Sequence, residues 1–122
     1  KYIDWEHPEN NVFHVTEDFS CDSWDKQKYA RPDIVLFVNG IPFAVIECKA
    51  PTVDVDQAVE QMIRNQGKDY IPQLFKFAQV VVATNKNAVK YATCGTGKNF
   101  WCVWREQSLD WQFPCHLDDA SR

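Results

Sequence analysis

The chain has 122 residues, of which 45% are hydrophobic and 25% charged, enough for one hydrophobic core and too few for two. Its formal net charge of −4 argues against an unaided grip on nucleic acid, because neutralised phosphates supply most non-specific affinity. No apolar run approaches the ~20 residues of a membrane span and no signal peptide is visible, so the expectation is a cytoplasmic protein, and an opening Lys1 reads as a piece of a larger one.

Lys1 to Asn10 has no periodicity and reads as an irregular lead-in. Val12 to Phe19 alternates polar and apolar residues and predicts a first strand. Glu17 and Asp18 at its end read as solvated charges, with a further carboxylate for a metal site as the alternative. Cys21 to Arg31 is polar and predicts a loop. Two apolar runs follow, Ile34 to Val38 and Phe43 to Ile46, joined at Asn39-Gly40, a strong short-range hairpin signal. Both are apolar on both faces, the mark of strands buried within a sheet. A strict two-residue loop would pair Val38 with Ile41 and set Asp33 opposite Ile46, turning Glu47 to the other face. Only an odd offset, from a three-residue loop or a β-bulge, brings Asp33 and Glu47 to one face.

Ala50-Pro51 stops the second strand. Asp54 with Gln57 predicts a helix cap, and Val55, Ala58, Val59, Met62 and Ile63 form a helical stripe with Gln61 on its flank. Gly67 ends that helix. Ile71-Pro72 starts a short turn through Phe77, with Phe75 and Phe77 read as core aromatics, and Gln79 to Thr84 predicts a buried strand reached by a parallel crossover. Asn85 to Asn87 is a turn, Ala88 to Thr93 a strand, Cys94 to Gly97 a second turn and Asn99 to Trp104 a last strand. Arg105 to Arg122 reads as a tail. Thr96-Gly97-Lys98 lacks the spacing of a phosphate-binding loop. Five cysteines without a CxxC pair read as reduced packing residues, and His7, His14 and His116 are too scattered to form a cluster.

The chemistry concentrates at the strand ends. Asp33 and Glu47 could supply the carboxylates that a hard divalent cation takes, and the Cys48 carbonyl a third oxygen. Lys49 shares a strand face with Glu47 and could hold an attacking water and offset charge at phosphorus. Arg31 and Arg64 are candidate contacts to DNA phosphates. The plainer reading is that the sheet simply meets water there, since a Glu-x-Lys tripeptide alone is nearly uninformative.

Pro32-Asp33, followed fourteen residues after Asp33 by Glu47-x-Lys49, resembles the PD-(D/E)xK nuclease superfamily. More narrowly, RPDIVLFVNGIPFAVIECKAP (31–51), Gln61, IPQLF (71–75) and VVVATN (80–85) resemble the nuclease domain in the restriction subunit of type I restriction-modification enzymes. The resemblance implies a restriction-endonuclease-like, three-layer α/β domain with a mixed β-sheet flanked by helices, carrying a Mg²⁺-dependent double-strand DNA endonuclease site, with Mn²⁺ as substitute. Asp33, Glu47, Lys49 and Gln61 would be catalytic, and Asp33, Glu47 and the Cys48 carbonyl the metal ligands. It implies partners too: double-stranded DNA, ATP-driven motor domains of the same subunit, and modification and specificity subunits. The family's Gln-x-x-x-Tyr motif falls on Gln61, with Asn65 where the family has Tyr. Gln66 to Tyr70 has that spacing at the wrong offset from IPQLF and reads as a decoy. Two other readings stand beside this one: a catalytically silent α/β docking or DNA-binding module, and a junction resolvase or repair nuclease.

Overall fold

Eight strands and a single α-helix are found among residues 2–23, 26–27, 29–68 and 70–105, the part of the chain that the computed structural model describes. In chain order these are β1 (Phe13–Glu17), β2 (Cys21–Asp22), β3 (Tyr29–Ala30), β4 (Ile34–Val38), β5 (Ile41–Cys48), α1 (Val55–Gln66), β6 (Val80–Asn85), β7 (Ala88–Ala92) and β8 (Cys102–Val103). Six of the strands form one mixed sheet in the order β1-β4-β5-β6-β7-β8, and β2 pairs with β3 apart from it. Within the large sheet β5 and β6 run parallel, joined through α1, while every other neighbouring pair is antiparallel.

The turn between β4 and β5 is built by Asn39 and Gly40, which both take positive φ, 53° and 82°. This left-handed pair matches the twist of a two-residue hairpin, and glycine and asparagine are the residues that enter it at least cost. From the turn, Val38 pairs with Ile41 and Phe37 with Pro42, and then the register shifts so that Leu36 faces Ala44. Phe43 is thus the extra residue of a β-bulge. The shift carries on to Val35 opposite Val45 and Ile34 opposite Ile46, and its continuation sets Asp33 against Glu47. The loop is the strict two-residue one, and the bulge supplies the odd offset.

Asp54 caps α1 by accepting the Asp56 N–H at 2.9 Å, while the Gln57 N–H goes to the Asp54 carbonyl at 3.0 Å, so the cap is an aspartate turn and not the expected Asp54-Gln57 exchange. Gly67 closes the helix, donating to the Arg64 carbonyl with φ of −69°. The predicted stripe faces inward: Val55, Ala58, Val59 and Met62 are buried against Val35, Val45, Val81 and Ala83 of the sheet. The 3-10 turn Pro72–Phe75 adds Leu74 and Phe75 to this layer, and Phe19 meets Phe37 edge-on at 5.6 Å.

Several expectations are corrected. Helices were expected on both faces, but among the described residues α1 is the only α-helix and covers one. On the other face Ile34, Leu36, Ile46 and Val82 are half-buried, and Phe13 and Val15 are exposed. Alternation identifies strands apolar on both faces and is silent about what covers each. Phe77 is 55% exposed and no core residue. The stretch read as a loop before Arg31 contains the β2–β3 pair, and Asn99 to Trp104 divides into a 3-10 turn, Lys98–Phe100, and the two-residue β8. The lead-in contains a 3-10 turn at Pro8–Asn10 and is tied down by Asn39, which donates to the Tyr2 carbonyl at 2.8 Å and to Asn11 Oδ1 at 2.9 Å. Cys48 and Cys102 are exposed thiols, not packing residues, while Cys21 and Cys94 are partly buried. The tail reading, with Cys115 and His116, lies outside the described residues beyond Arg105. No helix among the described residues is long and apolar enough to cross a membrane.

Gly40 meets no atom within 4 Å of an added Cβ, so a substitution there is opposed by backbone strain alone. Gly40→Val is expected to lower stability by about 1–2 kcal/mol, read as a urea midpoint shift at constant m.

Candidate active site

The ends of β4, β5 and β6 bring the predicted residues together. Asp33 sits just before β4, fixed from both sides: its carbonyl accepts the Asp18 N–H at 2.9 Å, and its Oδ2 accepts the Cys48 N–H at 2.7 Å. Glu47 is on the α1 face of β5 and is 1% exposed. Lys49, just past β5, is held through its backbone N–H to the Thr84 carbonyl of β6 at 2.8 Å.

Gln61 on α1 joins two of these groups. Its Oε1 accepts from Lys49 Nζ at 2.6 Å and its Nε2 donates to Glu47 Oε2 at 3.2 Å. An amide is the one neutral side chain that presents an acceptor to an ammonium and a donor to a carboxylate at once. The flank position of Gln61 on the helical stripe makes this reach possible.

Glu47 has its pKa raised from 4.5 to about 8. Burial is the main cause. The Asp33 charge and a hydrogen bond shared with the Asp33 carboxyl push the same way, and the positive charges of Lys49 and Arg64 oppose them. With neither carboxyl protonated, Glu47 Oε1 is buried without a donor. Two acceptors crowded together call for a proton or a cation between them. Among the described residues no three or more His, Cys, Asp or Glu side chains form a metal-ligating group, so a cation here would take two carboxylates and complete its shell from backbone, water or substrate oxygen.

The remaining candidates fall around this centre. The Cys48 backbone contributes its N–H to Asp33. Arg31 is exposed two residues before Asp33, and Arg64 lies over the Tyr70 ring at 5.0 Å. Asn65 is 1% exposed, and its Oδ1 has no hydrogen-bond partner. Gln66, the first residue of the decoy pair, is used elsewhere: its Oε1 accepts the Gly95 N–H at 2.7 Å. Glu17 and Asp18 are exposed.

Sequence reasoning missed Asn85. Its Nδ2 donates to the Val53 carbonyl at 2.7 Å, and its Oδ1 accepts the Asn87 and Ala88 N–H groups, each at 2.8 Å. One side chain thus shapes the β6–β7 turn and holds the loop that leads from Lys49 to α1. The available signal was an asparagine closing an apolar run. Charge is also more structured than its total: residues 23–105 hold eleven Lys and Arg against seven Asp and Glu, whereas residues 2–22 hold six acids and no Lys or Arg.

A family model described as "Type I restriction enzyme R protein N terminus" matches residues 1–100. Among similar curated proteins, the putative type I restriction enzyme MjaIXP endonuclease subunit of Methanocaldococcus jannaschii is 32% identical over 114 residues, covering 90% of this chain and 11% of the relative. The type I restriction enzyme HindI endonuclease subunit of Haemophilus influenzae is 34% identical over 108 residues, 86% of this chain and 10% of the relative. The type I restriction enzyme SsaAORF53P endonuclease subunit of Staphylococcus saprophyticus is 28% identical over 97 residues, 80% of this chain and 10% of the relative. The chain spans about a tenth of the length of the curated relatives it matches.

The raised Glu47 pKa has a thermodynamic consequence. The folded state keeps a proton that the unfolded chain releases between about 4.5 and about 8. This contribution to stability is complete below the lower value and is lost as pH rises through the upper one. In chelator-treated protein, urea stability is expected to decline across that window, and Glu47→Gln to remove the decline. An unchanged slope in the variant would assign the proton to another group.

Proposed function

Because this chain belongs to the family of type I restriction enzyme R protein N termini, we propose that it carries the DNA-cleaving site of such a subunit. The site is a PD-(D/E)xK constellation of Asp33, Glu47 and Lys49 with Gln61 beside it, on a restriction-endonuclease-like fold, hydrolysing phosphodiester bonds of double-stranded DNA with Mg²⁺. The observation that carries the reading is the bulge-set pairing that turns both carboxyls to one face, next to a lysine and glutamine already bonded to each other.

The donor set fits a hard cation. Asp33 and Glu47 would hold Mg²⁺ through carboxylate oxygens, with the Cys48 carbonyl as a third ligand. The buried Glu47 Oε1 without a donor and the adjacent Asp33 carboxyl are a pair whose repulsion a divalent ion relieves. Bound there, Mg²⁺ supplies Lewis acidity and a lowered pKa for a coordinated water. Lys49 uses one of its donors on Gln61 and keeps others for the attacking water and a phosphate oxygen, adding fixed positive charge where negative charge develops. Gln61 holds the ammonium in place and satisfies one Glu47 oxygen. Arg31 and Arg64 would meet phosphates on either side of the scissile bond, and the basic surplus of residues 23–105 suits a polyanion better than the chain-wide charge suggests. Site recognition, ATP-driven translocation and methylation belong in this reading to the rest of the subunit and to modification and specificity subunits.

A second reading, a silent docking module of the same fold, draws on Asn65, which stands where the family has Tyr and is buried with an unpartnered oxygen. Two substitutions decide between them. Asp33→Ala is expected to abolish Mn²⁺ binding in calorimetry while the circular dichroism spectrum is retained, since one remaining carboxylate leaves too few hard oxygens. Lys49→Ala in the intact subunit is expected to keep metal affinity and ATP turnover and to slow DNA cleavage by ~10²-fold to 10³-fold, the usual effect of removing one electrostatic donor. Normal cleavage in that variant, or tight Mn²⁺ binding in the first, returns the cluster to charges at the end of a sheet.

A further inference from the structure

The sheet face away from α1 carries an apolar groove that the proposed nuclease site does not use. It has a volume of about 440 Å³ and is lined by Ile3, Trp5, Phe13, Val15, Leu36 and Phe43. Trp5, Phe13 and Val15 are 67%, 62% and 67% exposed. One wall is the lead-in segment, fastened through Asn39 to Tyr2 and Asn11 and through the ring contact of Trp5 with Phe43 at 6.3 Å. The other is formed by β1 and β4, where Phe13 pairs with Val38 and Val15 with Leu36. Glu17 follows Phe13 and Val15 on this same face and is exposed, Asp4 is among the lining residues, and the lead-in that forms the wall also carries exposed Glu6 and Glu9, the latter 3.5 Å from His7 Nδ1. An apolar trough rimmed by like charges marks a contact surface and not a packing defect.

Charge decides what fits. Residues 2–22 include no Lys or Arg, so DNA is repelled. A second copy docking face to face would set these acids against their own duplicates. We infer that this groove docks a basic amphipathic helix of a protein partner, its apolar side chains at i, i+3/i+4 and i+7 entering the trough and its Lys or Arg residues meeting Glu17 and the acidic lead-in. The inference is independent of catalysis at Asp33 and Glu47, which lie on the opposite face.

The test uses the full chain and two labelled helical peptides of equal length and apolar stripe, one with lysine and one with glutamate on the polar face, followed by fluorescence anisotropy. The lysine peptide is expected to bind at least ~10-fold more tightly than the glutamate peptide, with affinity falling as salt rises. Val15→Ser and Glu17→Lys, both at exposed positions where folding tolerates change, are each expected to weaken that binding about 5-fold to 10-fold with the thermal midpoint unchanged. Absence of binding, equal binding of the two peptides, or insensitivity to both substitutions overturns the proposal. So does sedimentation as a dimer that Val15→Ser dissociates, which would make the face a self-interface. Asp33→Ala is expected to bind the lysine peptide as the unaltered chain does, so failure of the nuclease reading and failure of this one are distinguishable.

Discussion

One inserted residue governs this structure. A two-residue hairpin centred on Asn39-Gly40 obliges residues whose numbers add to an odd total to face one another, and Asp33 and Glu47 do not meet that condition. The bulge at Phe43 changes the parity, and everything N-terminal to it in β4 is re-paired by one position against β5. Because strand side chains alternate, that one position decides whether two carboxyls share a face or are separated by the thickness of the sheet. The bulge residue is also spent usefully on the far side: Phe43 meets Trp5 and helps to form the groove.

Once the carboxyls are together, their electrostatics follow from burial and crowding. Glu47 is almost sealed from solvent, and its nearest polar neighbours divide by type: Asp33 destabilises its charge, while Gln61, Lys49 and Arg64 favour it. The balance raises the Glu47 pKa to about 8, and its Oε1 is buried beside the Asp33 carboxyl with no other donor. Gln61 holds Lys49 in place, accepting from its Nζ at 2.6 Å. Asn85 acts one step further out, setting the loop between Lys49 and the helix that bears Gln61.

The two faces of the sheet are also two chemical surfaces. One is covered by α1 and carries the Glu47, Lys49 and Gln61 cluster. The other is apolar, open near β1, and carries Glu17. A net charge of −4 averages an acidic first stretch, residues 2–22, against the basic surplus of residues 23–105.

The elements themselves were legible in the residues: the hairpin from Asn39-Gly40, the helix from its five-residue stripe, the strand from VVVATN. Local pattern determines them because backbone preference and hydrophobic period act within a few residues. The candidate site was legible as a set, Asp33, Glu47, Lys49 and Gln61, and the need for an odd offset followed from the alternation of strand faces. Which device would supply it, the bulge or a longer loop, was decided by packing across the hairpin. Also left to the tertiary structure were the Gln61 bridge, the work of Asn85, the exposure of Phe77 and the bare second face. Each depends on which distant segment lies opposite, a long-range fact that side-chain period does not encode, whereas the order and kind of the elements are short-range facts that it does.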